Sequence, residues 1–260
     1  MAKFCPLFSG SSGNCTYIGG SEGGILIDAG VSTKRILASL NDADIAPDSI
    51  KGIFITHEHS DHISGLRVLA SKLNIPVYAS GGTALGIRDY CAPAQVEVHA
   101  MNGECVETAG MRISRFRTSH DSNESCGYKI DLGERKLAVC TDLGLVTDEV
   151  REAISGCDLV MLESNHDVMM LQNGRYPYFL KRRVLSEVGH LSNASCATEL
   201  VKLVETGSTR FVLGHISREN NLPELALQTA RVSLMANGMN EGTDYILSAA
   251  PAAGGKMIVL

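Results

Sequence analysis

Residues 56–62 read "THEHSDH", Thr56-His57-Glu58-His59-Ser60-Asp61-His62, and put three imidazoles and two carboxylates into seven positions. The run follows "IKGIFI" at 50–55, whose β-branched and aromatic content predicts a strand. At a strand end His57 and His59, two apart, lie on the same side of an extended chain, and Asp61 and His62 follow as it turns toward a helix beginning at Ile63. Neutral imidazole and carboxylate are ligands that zinc, manganese and iron accept, and a set this dense can feed two adjacent ions. A lone exposed histidine would carry no such reading.

The same pattern recurs along the chain. Polar, metal-competent residues stand directly behind apolar segments in "ISRFRTS-HD", "LAVCT-D", "VMLE-SNHD" and "RFVLG-H". Residues 3–8, 15–19 and 24–28 read as a β-meander broken by "SGSSGN" and "GGSEGG", and "VSTKRILASLN" reads as an amphipathic helix with Ser32 as its cap. Further on, helices are predicted at 63–74, 82–91, 147–155, around 177–188, at 192–206 and from Pro223 onward, alternating with strands. This alternation predicts an α/β protein in which strand ends gather functional groups at one edge. No linker or low-complexity tract interrupts it, so a single domain over 1–260 is expected.

Composition narrows the class. The chain has 260 residues, 44% hydrophobic and 20% charged, enough for a sizeable core. No run of eighteen apolar residues occurs and the N-terminus lacks a signal-like apolar stretch, so a cytoplasmic protein without membrane insertion is expected. The eight cysteines include no C-x-x-C pair and read as reduced, buried hydrophobes. A net charge of −6 argues against a general polyanion-binding surface but leaves room for a local basic patch.

The H-x-H-x-D-H run resembles the signature of the metallo-β-lactamase-fold hydrolases, and Asp28, His120 in "TSHDS", Asp142 in "CTDLG" and His215 in "LGHIS" fall where that pattern asks. The resemblance implies a four-layer αβ/βα sandwich. It further implies two divalent metal ions (zinc, manganese or iron), one held by His57, His59 and His120, the other by Asp61, His62 and His215, with Asp142 shared. Two such cations can lower the pKa of a water between them, so the implied reaction is hydrolysis. Asp28 would orient a ligand imidazole, or else is a turn aspartate before Gly30. Glu58 reads as solvated or as a surface contact, and His99 as structural.

The choice of substrate rests on residues beyond the ligands. "VGHLSN" at 188–193 and "LGHISR" at 213–218 repeat a phrase 25 residues apart, so His190 is a histidine the ligand set does not require. It resembles the proton-donating histidine of ribonuclease Z, and Glu163 in "MLESNHD" the glutamate that orients it. A phosphodiester needs such an acid because its alkoxide leaves poorly, whereas a thioester needs it less. Asp61, His190 and Glu163 are therefore the candidate catalytic residues.

The stretches "FSGSSGNCTYI" and "ESNHDVMMLQNGRYPYFLKRRVLSEVGHLSN" resemble the YycJ/WalJ-like branch of this fold, a resemblance that runs nearly the whole chain and implies nucleic acid, DNA cut from the 5′ end, as substrate. Ser9, Ser11, Ser12 and Asn14 could form an anion-binding nest or simply a hairpin turn. Arg175, Lys181, Arg182 and Arg183, beside Tyr176 and Tyr178, could meet phosphates and stack a base, or form a solvated helix face. His166 fits either a substrate contact or a loop role, and Ser192 and Asn193 complete the candidate substrate contacts. Only 73 positions separate Asp142 from His215, too few for the extra nuclease domain of the β-CASP enzymes. A cyclic phosphodiesterase, a glyoxalase-II-like thioesterase, and a non-catalytic metal-bound nucleic-acid-binding module remain the alternatives.

Overall fold

The computed structural model describes residues 1–103 and 105–260. The chain separates into two compact units: Met1–Arg115, Ser122–Arg135 and Pro251–Leu260 form the first, Phe116–Asp121 and Lys136–Ala250 the second. The strands belong to two mixed seven-stranded sheets, and helices accompany both, so the α/β class expected from the alternation is the one observed.

In the first unit β1 (Lys3–Phe8), β2 (Cys15–Gly19) and β3 (Gly24–Ile27) pair antiparallel as the predicted meander. β4 (Ile50–Ile55), β5 (Val77–Ala79) and β6 (Val98–Ala100) then add in parallel, and Ile258–Val259 closes the other edge against β1. Parallel pairing needs crossovers, supplied by α1 (Thr33–Asp42), the single turn α2 (Ser60–Ile63), α3 (Leu66–Leu73) and α4 (Gly81–Cys91). Their apolar faces, including Ile36, Leu40, Leu69 and Ile87, pack into one core with Leu26, Ile53 and Ile55. The hairpin of β7 (Val106–Thr108) and β8 (Met111–Arg117) follows, and then β9 (Cys126–Asp131).

In the second unit β10 (Lys136–Cys140), β11 (Leu159–Glu163), β12 (Arg210–Gly214) and β13 (Ile246–Ala249) run parallel side by side. α5 (Asp148–Ile154), α8 (Asn193–Glu205) and α9 (Pro223–Ala236) bury Val150, Leu200 and Leu234 in a core with Val160, Leu162 and Phe211. α6 (Val168–Asn173) and α7 (Tyr178–Val184) occupy the excursion between β11 and α8.

The predicted helix over 63–74 is interrupted. Gly65 N donates to Ala29 O at 2.8 Å, and a Cβ on Gly65 would lie 2.1 Å from Val31 O, so the backbone is pressed against the 29–33 loop and the helix restarts beyond it. α6, β13 and the strand at Ile258–Val259 carried no sequence signal strong enough to be predicted. Each is short, and β13 and the terminal pair follow turn-rich segments.

Candidate active site

In the first unit β4 delivers the chain to Thr56, whose N–H donates to Asp28 Oδ1 at 2.8 Å. Thr56 Oγ1 lies 2.9 Å from Asp28 Oδ2 and 3.1 Å from His57 Nδ1, while His62 Nδ1 stands 2.8 Å from the same Asp28 Oδ2. A carboxylate only accepts, so the His62 proton resides on Nδ1 and the Nε2 lone pair is presented for ligation. That Nε2 sits 3.5 Å from Asp61 Oδ2. His57 Nε2 and His59 Nδ1 lie 3.0 Å apart, a separation at which two imidazole nitrogens need a proton or a cation between them. This donor set fits a divalent metal ion.

Close backbone approach holds the arrangement. Asn14 N donates to Asp61 O and Gly30 N to Asn14 O, both at 2.8 Å. A Cβ on Gly30 would lie 1.6 Å from Asp61 O, so no other residue fits there. Burial pushes the Asp28 carboxyl above its usual range, with His62 and Thr56 pulling against it.

The second unit builds its set from strand register. Cys140 pairs with Leu162, Leu162 with Leu213, and Glu163 with Gly214, so Asp142, Glu163 and His215 leave adjacent parallel strands at one edge. Glu163 Oε1 is 2.8 Å from His190 Nδ1 and 3.0 Å from His215 Nδ1, and Oε2 accepts Leu143 N at 2.9 Å. Asp142 Oδ1 lies 3.5 Å from His215 Nδ1, and ligand atoms of Asp142, Glu163, His190 and His215 all fall within 4.8 Å of one another, a grouping able to hold a metal ion. Burial opposes ionisation of Glu163, but His190 and then His215 outweigh it and hold the carboxyl well below the usual range. His120 Nδ1 donates to Gly189 O at 3.0 Å, which presents Nε2, and burial lowers the basicity of this ring.

Asp28, Asp142 and His215 all adopt left-handed backbone conformations, with φ of 63°, 59° and 50°. For residues other than glycine such conformations carry strain and concentrate at functional sites.

The remaining candidates divide. Ser11 and Ser12 are exposed, whereas Ser9 and Asn14 are buried. Asn14 braces the 57–62 loop, accepting Gly10 N on Oδ1 and placing Nδ2 3.1 Å from His62 Nε2. Ser192 caps α8 by accepting Ser195 N, and Asn193 lies inside, bonded to Ser164 and Asn221. His166 is 1% exposed, and neither ring nitrogen has a hydrogen-bond partner among the described residues. Arg183 forms a bidentate pair with Asp121, and Lys181 Nζ donates to Gln172 O, leaving Arg175 and Arg182 as the more outward cations. Glu58 accepts Asn123 N at 2.8 Å, and His99 stacks on Tyr78 at 5.1 Å.

Sequence reasoning missed Thr56, whose hydroxyl touches Asp28, His57 and His62, although it opens the quoted run. It also missed Asn165, which donates to His215 O at 3.0 Å, and Asn221, which donates to the carbonyls of Ser164 and Asn165. Neutral amides bracing loops leave no spacing pattern to detect.

Imidazoles and carboxylates gathered at strand ends, one set in each unit, are donor groups of the kind a metallohydrolase uses. The chain belongs to the β-lactamase superfamily, whose domain matches residues 24–216. It is 38% identical over 244 residues to the exodeoxyribonuclease YycJ of Bacillus anthracis, covering 93% of this chain and 92% of that one. It is 35% identical over 247 residues to the exodeoxyribonuclease WalJ of Streptococcus pneumoniae, covering 94% and 92%. Among solved structures it resembles the metallo-β-lactamase-fold protein YhfI from Bacillus subtilis, with a TM-score of 0.75 at 13% identity over 99% of this chain and 98% of that one. Among the described residues no helix is long and apolar enough to cross a membrane.

Proposed function

We propose that this protein is a divalent-metal-dependent phosphodiesterase that removes nucleotides from DNA, beginning at the 5′ end. The observation that carries the reading is the buried Glu163 carboxylate at 2.8 Å from His190 Nδ1. The similarity to exodeoxyribonucleases over most of the chain supports DNA as the substrate. We further propose that both units act as one hydrolase domain over 1–260, with His57, His59, Asp61, His62, His120, Asp142 and His215 holding two ions.

Bound divalent ions would lower the pKa of a water and neutralise charge on the phosphate. The chain's own residues supply the rest. Asp61 orients the attacking water. His190, its Nδ1 proton held by Glu163, directs Nε2 toward the leaving oxygen and, when protonated, donates to it. Glu163 fixes the ring through the 2.8 Å contact to Nδ1. The reduced state expected of eight cysteines, seven of them buried, suits the cytoplasm.

The reading is tested by turnover of bis(p-nitrophenyl) phosphate by metal-loaded protein and by its Asp61→Ala variant. Wild-type turnover lost in the variant supports it. A metal-loaded protein with no turnover contradicts it and favours a binding module.

A further inference from the structure

The excursion between Glu163 and His190 differs in chemistry from the rest of the chain. Residues 168–188, "VMMLQNGRYPYFLKRRVLSEV", carry four cationic side chains and one carboxylate, Glu187 near the far end, in a protein of net charge −6. The same stretch exposes large apolar side chains to solvent: Met169 at 64%, Tyr178 at 76% and Phe179 at 73%. A helix of seven residues that leaves two adjacent aromatic rings outside is not using them for its core. Arg182 lies over the Tyr178 ring at 6.0 Å, so cation and aromatic share one surface.

The excursion is anchored where its chemistry would matter. Its two ends meet in the Glu163–His190 contact. Its last turn is fixed to the loop carrying His120: Arg183 pairs with Asp121, Ser119 Oγ donates to Glu187 O at 2.6 Å, and Asp121 N donates to Val188 O at 3.1 Å. The exposed apolar side continues through Leu185 to Val188, which lines a pocket of about 360 Å³ with Arg117, Thr118, Ser119, His120, Thr147 and Glu149.

We propose that residues 169–188 form a docking platform for single-stranded DNA, on which Tyr178 and Phe179 stack unpaired bases while Arg175, Lys181 and Arg182 meet the phosphates. This deepens the phosphodiesterase reading and rests on it for the identity of the strand. The local positive charge complements a polyanion, and exposed rings offer a face that only unstacked bases can use. A duplex, its bases already stacked on one another, gains only the electrostatic part. The platform therefore selects a single strand, or a frayed end, and passes it toward His190.

The test is fluorescence anisotropy of the full-length protein with labelled oligothymidylate and with a blunt duplex, in chelator so that no strand is cut. Tyr178→Ala and Phe179→Ala are each expected to weaken oligothymidylate binding about tenfold, with little change for the duplex and an unchanged thermal midpoint. Arg182→Glu should weaken both ligands. Wild-type affinity for oligothymidylate in both aromatic variants overturns the platform, as does loss of binding to phosphatidylserine vesicles with oligothymidylate binding intact, which would mark a membrane contact. Wild-type turnover of bis(p-nitrophenyl) phosphate, measured alongside, tests the hydrolase reading separately, so the failure of one is distinguishable from the failure of the other.

Discussion

Glu163 Oε1 stands 2.8 Å from His190 Nδ1, and the other oxygen of the same carboxylate accepts the backbone N–H that follows Asp142. One buried side chain thus ties the candidate general acid to the loop bearing a candidate metal ligand, and it reaches His215 as well. Register explains the convergence, because Glu163 pairs with Gly214 on the adjacent strand, one residue before His215.

If His190 protonates the leaving oxygen, the cost of removing it depends on that oxygen's basicity. His190→Ala is expected to lower kcat on a dinucleotide by about 10²–10⁴-fold, and much less on a p-nitrophenyl ester of thymidine 5′-phosphate. Metal content should be retained. Equal losses on both substrates would show that the ring does something other than donate a proton.

Asp28 Oδ2 lies 2.8 Å from His62 Nδ1. Asp28→Asn removes the charge opposite His62 Nδ1 and should weaken metal binding about 10- to 100-fold, read by competition with a chromophoric chelator. Unchanged affinity would assign Asp28 to the turn before Gly30 alone.

Gly30→Ala tests the close approach beneath the histidine loop. The added Cβ would meet Asp61 O, a backbone atom that cannot rotate away, so a loss of at least about 2 kcal/mol is expected in denaturant unfolding, with reduced metal stoichiometry. A stable, fully loaded variant would mean that the loop yields at little cost.

His166 predicts an acid limb of stability. Burial pushes its pKa down to about 4, with Glu163 opposing and His190 reinforcing the shift. The folded value lies below the unfolded value of about 6.5, so the protein is favoured above pH 6.5 and loses up to about 3 kcal/mol as pH falls toward 4. His166→Leu should flatten thermal midpoints over that window, while an equally steep limb would place the protonation elsewhere.

Much of this was legible in the sequence where chemistry is dense or periodic. The run 56–62, the strand ahead of it and the polar residues behind β10, β11 and β12 were all readable, because apolar strands ending in ligand-type residues leave a two-part signal. What escaped depends on three-dimensional contact. The break at Gly65 comes from a carbonyl more than thirty positions earlier, Asn14, read as part of an anion-binding nest or a hairpin turn, also reaches His62 in the histidine loop, and Arg183 found Asp121 across 62 residues. The exposure of Phe179 was likewise hidden, since a short helix gives too few positions to define its inner face.

The most direct test is nucleotide release from linear DNA labelled separately at each end, with manganese added, by wild type and by His190→Ala. Manganese-dependent shortening from the 5′ end, lost in the variant, is the expected result. Shortening that persists undiminished in His190→Ala, or intact DNA alongside turnover of a thioester such as S-lactoylglutathione, would contradict it.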